Sequence, residues 1–307
     1  MRYFEPEGFE EYYNCILKND ISEAKKSKGY YIDPDVCRYV GKTEYYSWLT
    51  KFLNCREPKR ESTDKYLYIP PKKAMGICKE DKKNKYIDDY KIVVVKNDEV
   101  LFRLTSDQFG FSAVESIYVT EAKMKKYPLS RMVLLSRNET DEQEEEIRKQ
   151  LIEYVENSRT LGGAFVWPTF KKNRQGRYNA PRGVNSYIED RVDLTLLEIK
   201  HALDGEYDKD NFSSDILYNE YKKDDGIMKT WLKHFGTFDN YIDFFMLEPF
   251  VAEVNGQKIP VDIISGEPLN IDKVGKLQQL NLEKLQEVVI RVENMIIQRT
   301  TCMEQVV

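Results

Sequence analysis

Tyr90-Lys91-Ile92-Val93-Val94-Val95, then Lys96-Asn97-Asp98-Glu99, then Val100-Leu101-Phe102-Arg103-Leu104 is the stretch that decides the fold class. Two β-branched or apolar runs flank four polar residues, the composition of a hairpin, so a sheet begins here. Upstream, residues 8–27 and 43–54 carry apolar residues at three- and four-residue intervals and read as helices, joined by the Asp33-Pro34 break. Residues 56–86 are charged and interrupted by Pro58, Pro70, Pro71 and Gly76. Together with the apolar island Tyr66-Leu67-Tyr68-Ile69, this stretch reads as a linker or peripheral loop.

Downstream, 117–120 and 132–135 are further candidate strands. Residues 141–157 form a helix: Thr140 with Gln143 makes a capping box, acids crowd the first turn, and Ile147, Leu151, Tyr154 and Val155 share a face. Ala164 to Trp167 reads as a buried strand closed by Pro168. A second capping box, Ser186 with Glu189, opens a helix that Gly205 stops. Short helices are expected at 228–235 and 241–247. Asn255-Gly256 between two apolar runs is the strongest short hairpin signal in the chain. Residues 272–298 form a terminal helix with Leu282, Leu285, Val289, Val292 and Ile296 as its apolar stripe, packed on the domain. The fold class is α+β: a mixed core sheet with packed helices, a helical N-terminal region with charged linker at 1–86, and an α+β core domain at 87–307 ending in a long helix.

Composition excludes more than it identifies. With 47 Lys plus Arg against 52 Asp plus Glu, the formal charge is −5. A protein that coats nucleic acid by bulk charge is therefore excluded, and anion binding needs a local patch. The N-terminus is acidic and carries no export pattern, and no apolar run approaches the ~20 residues of a membrane span, so a cytoplasmic protein without membrane contact is expected. Five dispersed cysteines without a CxxC pair argue for reduced thiols. Two distant histidines, His201 and His234, exclude an HExxH helix.

Three constellations carry chemistry. Residues 170–183 hold five cations, Lys171, Lys172, Arg174, Arg177 and Arg182, and no acid. Feeding a helix N-terminus at Ser186, they form a cradle for a phosphate-bearing ligand, a nucleotide or nucleic acid, with Phe170 and Tyr178 available to stack on a base. The bland alternative is a solvated loop that offsets the acidic helix at 141–157. On the following helix, Asp190, Arg191 and Asp193 lie among apolar residues and must find partners, as an ion-pair network or as an active site. Asp190 and Asp193, three apart, would allow a shared Mg²⁺. Asp107 with Glu121-Ala122-Lys123 fits loosely the acid and lysine layout of Mg-dependent nucleases.

The segments 162–168 (GGAFVWP), 180–183 (APRG), 188–196 (IEDRVDLTL) and 241–245 (YIDFF) resemble a family of bacterial proteins defined only as a domain of unknown function. The resemblance implies a bacterial origin and adds Asp243 to Arg182, Asp190, Arg191 and Asp193 as residues of interest, without naming a reaction. Two function classes stay open. In the first, the basic loop binds a phosphate-bearing ligand, with Asp190, Asp193 or Asp243 as base or metal ligand. In the second, the charges are structural and a tyrosine-rich surface with the terminal helix engages a protein partner or a second copy, without catalysis.

Overall fold

The computed structural model describes residues 42–56, 66–69, 92–96, 99–108, 128–158, 160–171, 177–179, 191–211, 215–270, 272 and 275–306. In chain order its elements are α1 (Lys42–Cys55), β1 (Leu67–Ile69), β2 (Ile92–Lys96), β3 (Glu99–Gln108), α2 (Pro128–Ser136), α3 (Asp141–Ser158), β4 (Ala164–Lys171), β5 (Arg177–Asn179), α4 (Val192–Asp204), α5 (Asp215–Lys222), α6 (Ile227–Lys233), α7 (Phe238–Phe245), β6 (Val251–Val254), β7 (Gln257–Pro260) and α8 (Leu282–Glu304). Strands β1 to β5 form one antiparallel sheet in sequence order, and β6 and β7 pair separately. The fold is α+β, with the long helix at the C-terminal end. The first predicted helix (8–27) and the candidate strand 117–120 lie outside the described residues.

The hairpin at 90–104 is present as β2 and β3, with a register shift between Val94 and Val95. The island Tyr66 to Ile69 is not a loop: Leu67–Ile69 is the edge strand β1, pairing Leu67 with Val95 and Tyr68 with Val94. Its partner lies more than 20 residues away, so no local signal marks it. The Asn54 side chain gives and takes a hydrogen bond with the Tyr68 backbone, at 2.8 and 2.9 Å, covering that edge residue as a strand would. Tyr68 is buried at 3% exposure beside Trp231, its hydroxyl 3.1 Å from Nε2 of His234, while Tyr66 stacks on His234 at 4.0 Å.

The expected strand at 132–135 is part of helix α2. Pro128 begins it, where a missing N–H costs nothing, and Leu129, Met132 and Val133 are buried at helical spacing. A short apolar run alone does not separate strand from buried helix. Strand β4 does not stop at Pro168 but runs to Lys171. Pairing with β3 covers Ala164 to Pro168, and pairing with β5 takes over from Thr169, so the residue without an N–H sits at the change of partner. Asn255 and Gly256 have φ of 53° and 76°, as a two-residue hairpin turn requires.

Helix α8 packs into the core through Leu285, Val288, Val289, Val292, Ile296 and Met303. Asn281 caps its N-terminus, accepting from the Lys284 N–H at 3.0 Å, so the helix begins later than expected and runs on to Glu304. Near its end it crosses Gly162 so closely that a Cβ there would lie 2.1 Å from Thr300 Oγ1 and 2.4 Å from the Ile296 carbonyl. Along α3 the contact is polar: Gln286 donates to Gln150 at 3.2 Å, and Asn157 donates to Glu293 at 2.6 Å.

Burial raises the Glu293 carboxyl above its ordinary value; the Asn157 hydrogen bond opposes this and the Glu153 charge adds to it. The folded state therefore holds this proton more tightly than the unfolded chain. The resulting contribution favours folding more as pH falls through the raised value toward the ordinary carboxylate range, and is constant below it. Glu293→Gln keeps the acceptor and removes the charge. It is expected to raise the melting temperature by about 1 °C at pH 8 and to change it little at pH 4, read by paired thermal melts; a lower melting temperature at pH 8 contradicts this.

Candidate functional site

Helix α4 begins at Val192, with Arg191 as its extended N-cap, and no side-chain cap bond is made. The expected capping box of Ser186 and Glu189 lies outside the described residues. Asp190, the expected partner of Asp193 for a shared Mg²⁺, lies outside the described residues. The C-terminus is as expected, Gly205 taking the left-handed conformation at φ 78°.

Arg191, Asp193 and Asp262 form a buried network, with 2%, 1% and 8% of each residue exposed. Arg191 Nε donates to Asp193 Oδ1 at 3.0 Å, Nη1 to the Gly275 carbonyl at 2.7 Å, and Nη2 to both Asp193 Oδ2 and Asp262 Oδ1, the latter at 2.8 Å. Asp193 also accepts from the N–H groups of Leu194 at 2.9 Å and Ile263 at 3.1 Å. Asp262 accepts from the Ile264 N–H at 2.9 Å and the Ser265 hydroxyl at 3.0 Å. Burial alone works against the guanidinium charge, but Asp193 and Asp262 outweigh it and the Arg191 pKa is raised. Four donors already converge on the Asp193 carboxylate, which matches its lone-pair capacity.

Asp243 belongs to a different place. Arg56, following α1, donates to the Asp243 carbonyl at 2.6 Å and to the Phe244 carbonyl at 3.3 Å, and lies 3.7 Å from the Asp243 carboxylate. A cation thus sits on the last carbonyls of α7, where the helix dipole favours it.

Two of the expected cationic residues, Lys171 and Arg177, fall in strands β4 and β5. Lys171 and Arg177 are directly opposite each other, next to the opposed pair Phe170 and Tyr178. Lys172, Arg174 and Arg182 lie outside the described residues. The row Ile92, Leu104 and Pro168 crosses the sheet on its buried face.

Among the described residues, no group of three His, Cys, Asp or Glu is placed to hold a metal ion. Asp107 lies in β3 opposite Phe165, while Glu121 and Lys123 are outside the described residues. His201 Nδ1 is 2.5 Å from Glu206, and His234 is buried among aromatic rings. Sequence reasoning missed Asp262 and the buried Arg299, which donates to the carbonyls of Phe245, Gly162 and Ala164 at 2.7–2.9 Å. Each stands as a lone charge in apolar text, Asp262 in Val261-Asp262-Ile263-Ile264 and Arg299 on the stripe between Ile296 and Met303. That is the signal that could have found them.

A family model described as a family of unknown function, DUF6994, matches residues 89–265, more than half of the chain. The chain belongs to this family. No curated protein and no solved structure matches it. The DUF6994 span contains the β4–β5 hairpin and Arg191, Asp193 and Asp262, and ends before α8. No helix among the described residues is long and apolar enough to cross a membrane.

Removing one partner of a buried, hydrogen-bonded charge network leaves the other charge uncompensated, at about 3–5 kcal/mol. Asp193→Ala is expected to lower stability by about that amount in urea unfolding, with Asp193→Asn intermediate; loss of under about 1 kcal/mol contradicts the network.

Proposed function

We propose that this chain binds a phosphate-bearing ligand, a nucleotide or a nucleic-acid segment, at the β4–β5 hairpin. The observation that supports the reading is the direct opposition of Lys171 and Arg177. Like charges facing each other across a ladder repel, and an anion lying on the pair relieves that repulsion. The position is the outer margin of the sheet, beside the edge strand β5, and the sequence adjoining it supplies Lys172, Arg174 and Arg182 with no acid between. Arginine and lysine at such a site bind phosphate oxygens by charge-assisted hydrogen bonds. In a chain of net charge −5, this concentration of cations does not follow from composition.

The reading is one of binding. Asp193 enters it as part of the scaffold, since its carboxylate is saturated by Arg191 and two backbone N–H groups. We place the protein in a bacterial cytoplasm, supported by the resemblance to bacterial proteins and by five dispersed cysteines, of which Cys55 and Cys302 are free and exposed.

The test uses ATP and a fluorescein-labelled 12-nucleotide single-stranded oligonucleotide with wild type and a Lys171→Gln, Arg177→Gln double variant. Wild type is expected to bind at least one of them, with the affinity falling as salt rises, and the variant at least tenfold more weakly. Equal binding by the two proteins, or binding by neither, overturns the proposal.

A further inference from the structure

Helices α3 and α8 lie side by side and run in the same direction, with Gln150 meeting Gln286 and Asn157 meeting Glu293, both pairs 136 residues apart. Just outside this seam α3 exposes Glu146 and Glu153, and Glu139 lies seven residues before Glu146 in the preceding turn. On the other side α8 exposes Glu283, Ile290 and Ile297, again seven residues apart, with the two isoleucines 48% and 41% exposed. At its N-terminal end the valley widens into an open groove of about 500 Å³ with Leu135, Ile147 and Leu282 among its lining residues and Glu139, Glu146 and Glu283 around it.

We propose that this valley is a docking surface for a basic amphipathic helix of a partner protein, its cations against the glutamate row and its apolar stripe on Ile290 and Ile297. Among the described residues Glu139, Glu146, Glu153 and Glu283 form no ion pair, whereas other glutamates of the same helices do, Glu145 with Arg148 and Glu287 with Lys284. Helix dipoles account for acids in a first turn, which covers Glu283, but Glu146 and Glu153 stand six and thirteen residues into α3. Burial raises the Glu293 carboxyl and the Glu153 charge of this row adds to it, so a cation docked beside Glu153 relieves that part of the repulsion.

Spacing fixes the kind of partner. Seven helical residues span about 10.5 Å, so cations at i and i+7 of a docked helix meet successive glutamates. Single exposed apolar side chains are ordinary, but two on one stripe beside an unpaired acid row match the apolar and charged faces of a helix laid in a groove. A second copy of this chain would bring the same glutamates to the same place, so self-pairing through this face is disfavoured by charge. The surface is separate from the cationic hairpin and does not depend on it.

The test is fluorescence anisotropy of the full chain with a labelled 14-residue amphipathic Leu/Lys helical peptide, against a Leu/Glu peptide of the same pattern. Wild type is expected to bind the Lys peptide, less tightly as salt rises, and to ignore the Glu peptide. Glu146→Lys with Glu153→Lys, and separately Ile290→Ser with Ile297→Ser, should each weaken binding at least tenfold; all four positions are exposed, and melting temperatures close to wild type verify folding. Absence of binding by wild type, or unchanged binding by both variants, overturns the proposal. So does sedimentation showing a wild-type dimer that becomes monomeric in the isoleucine variant, because the occupant is then a second copy.

Discussion

A guanidinium buried to 2% exposure has to be neutralised and hydrogen-bonded from all sides, and around Arg191 this demand organises the structure. Its partners come from α4, from the turn after β7 and from the backbone at Gly275, positions up to 84 residues away. The planar fork of arginine suits this better than an ammonium, because one rigid group reaches two carboxylates and a carbonyl together. The turn is fixed in the same way from the other side. Arg291 of α8 donates to the Ile263 and Ile264 carbonyls at 2.6 and 2.9 Å, while the N–H groups of those two residues go to Asp193 and Asp262. Helix α4, the turn and α8 are thereby joined through polar contacts at the margin of the hydrophobic core. Arg299 does the same at the opposite end of α8, tying it to the start of β4 and the end of α7.

What was legible in the sequence follows from this division between local and distant contacts. Asn255-Gly256, the Thr140 and Gln143 box, the Gly205 stop and the stripe of α8 are set by residues within a few positions, and each is found where it was expected. The strand β1 was not legible, because its pairing partner lies far along the chain. Ser186 and Glu189 match a capping pattern but lie outside the described residues; the described helix starts at Val192 with Arg191 as its extended N-cap. Of the site, the need for Arg191 and Asp193 to find partners was legible and the identity of Asp262 was not.

The same contrast separates scaffold from surface. Charges in the Arg191 network are saturated, and Asp243 lies beside Arg56 at the end of α7, so neither carboxylate stands as an isolated acid. Other charges are found elsewhere: Glu146, Glu153 and Glu283 are exposed on α3 and α8, and Lys171 and Arg177 stand opposite each other in the register of β4 and β5.

Native-state hydrogen exchange at the Ile263 and Leu194 amides tests most directly whether the Arg191 network is a cornerstone of the fold. Both N–H groups donate to Asp193 and are freed only when the network opens. The account predicts that they exchange with the free energy of global unfolding, alongside core amides of α8 such as Val292. Exchange through a local opening several kcal/mol below that limit would contradict it.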